Sequence, residues 1–240
     1  MISIIKLDQK EIKKLLRIED PLILEIGAHK GVDTQRFLNE FKNIKIFCFE
    51  PDPRCIKGFK EYIKDKRCTL IEAAVANTDS KTTLYLSGGY NPGKFSRLYG
   101  LLKTFGLIKY FQQKEEWDFS STINKKPISN SNKYPWLDFK QITEVQTIKL
   151  DTWIKQNNIS YIDFIWSDIQ GGERKMIEGA QNTLKIVKYF FTEYGETDVY
   201  PEAMTREETI ELLKKYNFEL EGKYSSSEKR GDLLFKNKNL

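Results

Sequence analysis

Five short apolar runs, separated by stretches of helical periodicity, decide what this chain can fold into. LILEIGA (22–28), IKIFCFE (44–50), TLIEAAV (69–75), YIDFIWSD (161–168) and IVKYFFTE (186–193) are rich in Val, Ile, Leu and Phe and scarcely alternate with polar residues. A run of that kind reads as a strand buried on both faces. An amphipathic helix is expected near 8–18. Further helices are expected over VDTQRFLNEFK (32–42), the Lys-rich 54–65 after a PDP turn, LDTWIKQNN with Asp151 near its start, 172–185, and TREETIELLKKYN (205–217). Thr205 with Glu208 three residues on is a capping box. TTLYL (82–86) and VQTIKL (145–150) read as further strands, and FELEGKY and DLLF as a terminal antiparallel pair. Strands alternating with helices predict an α/β fold with a mostly parallel sheet covered on both faces. Ligands of such sheets bind outside the carboxyl ends of the strands.

Residues 88–143 break this rhythm. Gly88-Gly89, Asn91-Pro92-Gly93 and SSTINKKPISNSNKYP are turn and loop chemistry, yet the span also carries many aromatics. It reads as an insertion, an aromatic-rich lid or acceptor-binding segment, within a single domain spanning 1–240. No stretch approaches 18 consecutive apolar residues, so no membrane span is expected. The opening residues show neither a continuous apolar core nor a small-residue cleavage site, and the cytoplasm is the expected compartment. Cys48, Cys55 and Cys68 match no zinc spacing. The net charge of +5 is spread along the chain. It permits an anionic partner without pointing to nucleic acid, and no DNA partner is expected.

Four strand ends carry polar or glycine signals. Glu25-Ile26-Gly27-Ala28-His29-Lys30-Gly31 leaves a strand and enters a helix. The dinucleotide fingerprint would place glycine where His29 stands, so close approach of a pyrophosphate is obstructed. Glu50, about twenty residues on, can accept hydrogen bonds from both hydroxyls of a ribose. A nucleoside with free hydroxyls and no diphosphate points to S-adenosylmethionine, with Pro51 beside Glu50 lining its site. Asp168 opens Asp168-Ile169-Gln170-Gly171-Gly172-Glu173, and Glu193 closes the last main strand. Facing one cleft, the two carboxyls could hold a hydroxyl proton or a divalent cation. The sequence leaves metal dependence open.

With these residues in view, the chain resembles the FkbM family of S-adenosylmethionine-dependent methyltransferases. The likeness is carried by LEIGAHKG, FEPDP, EAAVANTD, IKLDTWI, WSDIQGGERKMIEGA and FFTEYG, and covers nearly everything outside 88–143. The resemblance implies a Rossmann-like, seven-stranded methyltransferase sheet with a reversed C-terminal strand. It also implies O-methylation of sugars or of sugar-bearing natural products. Under it, Glu25, Gly27, Ala28 and Gly31 belong to the cofactor loop and Glu50 to the ribose. Ala74 and Val75, followed by Asn77, flank the adenine. Asp168 and Glu173 match the signature beside the cofactor's methionine end.

A hydroxyl acceptor must lose its proton near the transition state of methyl transfer. Asp168 is the first candidate base or cation ligand, Glu193 its partner, and His29, the one histidine, the alternative base. Trp117, Tyr134 and Trp136 lie beside polar loop residues and are candidates to stack on a sugar acceptor. Three other readings compete. An RNA-ribose methyltransferase and a non-catalytic nucleoside-binding module share the fold. A nicotinamide oxidoreductase is opposed by His29 in the glycine loop.

Overall fold

The computed structural model describes residues 7–89, 117–124, 127–131, 133–195, 197–224 and 230–240. In chain order the elements are α1 (Gln9–Leu16), β1 (Leu22–Ile26), α2 (Val32–Glu40), β2 (Lys45–Phe49), α3 (Pro53–Tyr62), β3 (Cys68–Ile71), β4 (Ala74–Val75) and β5 (Ser80–Gly88). They continue with β6 (Asp138–Ile148), α4 (Leu150–Gln156), β7 (Ile162–Ser167), α5 (Glu173–Glu178), a 3-10 turn (Thr183–Ile186), β8 (Val187–Gly195), α6 (Arg206–Lys214), β9 (Phe218–Tyr224) and β10 (Arg230–Asn237).

Seven strands form one sheet in the order β3-β2-β1-β7-β8-β10-β9. Every pairing from β3 to β8 is parallel, and β10 runs antiparallel to both neighbours. This is the Rossmann-like methyltransferase sheet with a reversed last strand. The apolar runs face two cores, one on each side. Leu24, Ile26, Ile165 and Phe190 meet Trp153, Met176 and Ile177 on one face. Ile23, Ile46, Phe164 and Phe191 meet Ile12, Phe37 and Phe59 on the other. Burying large side chains on both faces at roughly 25 cal/mol per Å² of apolar surface is the main force holding the layers together. Among the described residues, no helix is long and apolar enough to cross a membrane.

The structure departs from the sequence reading in three places. TLIEAAV is two strands: it leaves the main sheet at Ile71 and re-enters order as β4 of a second sheet, β4-β6-β5. The expected helix 172–185 stops at Glu178. Gly179 packs so closely on Ala76 that a Cβ there would lie 2.0 Å from the Ala76 carbonyl oxygen. The chain then turns into the 3-10 segment, whose Asn182 and Thr183 amides donate to Asp151. Finally, β6 begins at Asp138, within the inserted span, and Gly88 pairs with Asp138. Residues 89–137 are therefore the connection at the tip of a long β5–β6 hairpin. Part of that connection folds back, where Tyr85 and Thr122 exchange backbone hydrogen bonds of 2.9 and 3.1 Å.

Candidate active site

The chain order reverses at β1, which has β2 on one side and β7 on the other. The polar ends of β2, β1, β7 and β8 thus stand side by side. After β1, Gly27 and Ala28 both donate to the Phe49 carbonyl, at 2.9 and 3.1 Å, while Asp168 donates its amide to Ile26 at 2.9 Å. Gly27 is threaded between those strands at φ +89°, and a Cβ on it would sit 1.9 Å from the Asp168 carbonyl oxygen. Glycine is required there by both contact and dihedral.

A cleft opens over these ends. Of the residues expected to hold the cofactor, Gly27, Glu50, Pro51, Ala74, Val75 and Asp168 line it, together with His29. Glu50 accepts from the amides of His29 (2.7 Å) and Asp52 (2.8 Å), and burial raises its pKa to about 7 against those bonds. Glu25, Ala28 and Gly31 are placed otherwise. Glu25 is buried beneath α2, where it accepts from the Thr34 hydroxyl at 2.6 Å and the Cys48 thiol at 3.4 Å, and burial pushes its pKa to about 8. Ala28 packs in the core on the α2 side. Gly31 is the N-cap of α2, pressed on Ile63 and Phe59. Asn77 donates to Glu178 at 2.8 Å.

Three parts of the cleft wall come from the inserted span, which the sequence marked as a lid or acceptor-binding segment without assigning any of these residues to the site: Asp118-Phe119, Ser121 and Thr122-Ile123. Asp118 bridges the glycine loop, bonding His29 Nε2 at 2.9 Å and Lys30 Nζ at 2.7 Å. Burial opposes its ionisation, but these two partners outweigh burial and hold its pKa at about 2. The His29 ring stacks on Phe119 with centroids 4.1 Å apart. Ser121 anchors the segment by donating to Asp52 at 2.8 Å and accepting from Arg54 at 3.1 Å.

A second cavity, of about 390 Å³, adjoins the cleft. Trp117, Tyr134, Trp136, Asp168 and Glu193 all line it, so the structure brings the acceptor and base candidates around one space. Trp136 is also the centre of a small core with Leu137, Phe139 and Val199, and is 6% exposed. Gln170 and Tyr200 complete the wall, and neither was singled out from the sequence. Burial raises the pKa of Asp168 and, more strongly, that of Glu193, whose side chain is hydrogen-bonded to Asp168. Two like charges in contact and out of water share a proton rather than both ionising. Nearby Glu173 is 3% exposed, with a pKa raised by burial to about 7 and Oε1 without a hydrogen-bond partner.

Among the described residues, the group of three potential ligands within 4.8 Å of one another is His29, Cys55 and Asp118, not the Asp168 pair. The Lys30 ammonium already sits on Asp118 and would repel a second cation there. The cleft suits S-adenosylmethionine on its donor set. Ala74 and Val75 give small apolar walls that suit the faces of a flat base, and the Glu50 carboxyl, where β2 ends, suits the hydroxyls of a sugar.

A curated relative, the 2-O-methyltransferase NoeI of Sinorhizobium fredii, is 30% identical over 232 residues, covering 96% of this chain and 85% of the relative. Among solved structures, the precorrin-6y C5,15-methyltransferase of Geobacter metallireducens GS-15 matches with a TM-score of 0.47 at 12% identity, covering 98% of this chain and 92% of that one. The N-terminal domain of EvdMO1, solved in the presence of SAH and D-fucose, matches with a TM-score of 0.48 at 9% identity, covering 95% and 79%. Neither structural likeness reaches a TM-score of 0.5, and neither bears on function. The methyltransferase FkbM domain model matches residues 25–220. That span holds the cleft, both carboxyls and the inserted segment, and with the relative's identity it establishes that the chain belongs to the FkbM family of methyltransferases.

Proposed function

We propose that this enzyme transfers the methyl group of S-adenosylmethionine to a hydroxyl of a sugar, a glycan or a glycosylated natural product. The observation that carries the reading is the shared wall. Asp168 lines both the cleft and a cavity walled by Trp117, Tyr134 and Trp136. Indole and phenol faces suit the C–H faces of a sugar ring, and the carboxyls at the inner end suit its hydroxyls. The 2-O-methyltransferase name of the relative supports transfer to an oxygen.

The cofactor supplies a methyl group already activated by its sulfonium charge, so the protein mainly has to position and to take a proton. Glu50 would hold the ribose, and Ala74 and Val75 would flank the base. Asp168, where the two spaces meet, would accept the proton of the attacking hydroxyl, and Glu193 would hold the proton the pair shares. His29 has its Nε2 on Asp118 and serves the cleft wall. Calorimetric titration with S-adenosylmethionine and its demethylated product tests the cofactor assignment. Labelled methyl transfer onto a panel of mono- and disaccharides, with and without EDTA, tests the acceptor. Transfer to at least one saccharide is expected; a silent saccharide panel alongside transfer to RNA would overturn the sugar reading.

A further inference from the structure

Gln170 stands two residues beyond Asp168 and, like Asp168, lines both spaces. We propose that Gln170 and Tyr200 are positioning residues for the transfer: Tyr200 fixes the Gln170 amide, and the amide fixes the Asp168 carboxyl between cofactor and acceptor. This rests on the O-methyltransferase reading of the same site.

The geometry is a short chain of contacts. Gln170 Nε2 donates to Asp168 Oδ1 at 2.5 Å and reaches Glu193 Oε2 at 3.5 Å. Its other end, Oε1, accepts from the Tyr200 hydroxyl at 2.9 Å. Tyr200 is 3% exposed, and its hydroxyl lies at the same distance from the Ser120 carbonyl. The single Tyr200 proton is shared between the Gln170 and Ser120 carbonyl oxygens, and with Oε1 on the tyrosine the N–H₂ end of the amide faces the carboxyl pair. That end only donates, so it favours an ionised oxygen and leaves the second oxygen of Asp168 for an incoming hydroxyl.

Two backbone facts agree. Gln170 lies at φ +52°, in the left-handed region that a side-chain-bearing residue occupies at a cost. Gly171, at φ +88°, follows under Tyr200, where a Cβ would come within 2.9 Å of the tyrosine Cβ. The turn is thus shaped around the Tyr200 side chain, and it places the Gln170 amide against the carboxyl pair rather than in solvent. Tyr200 comes from beyond β8 and Gln170 from beyond β7, so the contact also ties together two separate loops of the acceptor wall.

The test uses the full chain with S-adenosylhomocysteine as probe. Crystal structures of the wild type, Gln170→Leu and Tyr200→Phe, each grown with that probe, report the Asp168 rotamer without needing an acceptor. Gln170→Leu is expected to release the Asp168 carboxyl into another rotamer while the main chain of 166–172 is unchanged. Tyr200→Phe, the milder variant, is expected to rotate the Gln170 amide. With the best saccharide of the panel, Gln170→Leu should lower kcat about tenfold or more, as expected for a lost hydrogen bond to a charged group, with KM for S-adenosylmethionine unchanged. In an Asp168→Asn background the same change should cost less than about twofold, because the group it positions is gone. An unmoved Asp168 in Gln170→Leu, or losses that simply multiply, would overturn the inference alone. A wild type that takes no S-adenosylhomocysteine would instead sink the reading on which it rests, and the inference with it.

Discussion

Asp168 and Glu50 occupy equivalent places in the chain, each the first residue past a buried strand, and burial pushes both toward the neutral form. They differ in what surrounds them. Glu50 is held by two backbone amides, whereas Asp168 has another carboxyl beside it. Asp168→Asn keeps the shape and removes the base, so kcat for methyl transfer should fall by about 100-fold or more. Calorimetry should find S-adenosylhomocysteine affinity within about twofold of wild type. Unchanged turnover would remove Asp168 from the chemistry. Glu50 titrates near 7, and ribose hydroxyls bond better to its ionised form. S-adenosylhomocysteine should therefore bind more tightly as the pH rises through 7, and Glu50→Gln should both weaken binding and abolish that dependence. Titrations at pH 6 and pH 8 on both proteins decide it. These carboxyls were legible because each marks the end of an apolar run, a position that sequence records directly. Asp118, Phe119 and Tyr200 were not, because they reach the site from loops, where no periodicity fixes which way a side chain faces.

At the level of elements, the five apolar runs predicted a mostly parallel sheet because burial on both faces demands them, while the count of seven strands and the reversed last one came with the family resemblance. The runs could not show where hydrogen-bonding partners change. TLIEAAV is one apolar run, yet Ala73 donates back to Ile71 and the strand switches sheets there. Likewise, β5 and β6 were visible as strands, but their pairing across some fifty residues was hidden, since register over so long a loop is set by the sheet rather than by the turn. The segment 117–124 borrows its place from that hairpin. It leaves the cleft only about 100 Å³, well below the roughly 300 Å³ or more of typical small-molecule pockets. A nucleoside would enter this cleft if the Asp118–Phe119 tip swung outward, away from His29 and Lys30, with Ser121 still tied to Asp52. Asp118→Asn weakens that latch and should raise the association rate of S-adenosylhomocysteine about two- to tenfold. Stopped-flow tryptophan fluorescence would report it, Trp117 lying 5.0 Å from Phe119. An unaltered rate would mean the tip is no barrier to entry.

Across the whole molecule, the parallel sheet concentrates carboxyls where strands end, and two packed cores keep several of them from water. Glu25, Glu50 and Glu173 come from β1, the end of β2 and the start of α5, and burial raises each, to about 8, 7 and 7. An unfolded glutamate releases its proton near 4.3, while these keep theirs in the fold up to 7 or 8. Between those values the unfolded chain binds fewer protons, so stability is fully present below about pH 4.3 and falls as the pH climbs. Asp118 acts in the opposite sense. Held at about 2, its contribution is present above about pH 4 and is lost as the pH falls toward 2. The ligand-free protein should thus be most stable in mildly acidic solution, and its Tm should drop by at least about 5 °C between pH 5.5 and pH 8.5. Glu25→Gln isolates one part of the effect. A glutamine matches the neutral carboxyl in shape and never ionises, so the variant's Tm should exceed that of the wild type by a wider margin at pH 8.5 than at pH 5.5. Scanning calorimetry on both proteins across this range decides the matter. A wild-type Tm that is flat or rising, with Glu25→Gln following it in parallel, would show that these carboxyls ionise in the fold as freely as in the unfolded chain.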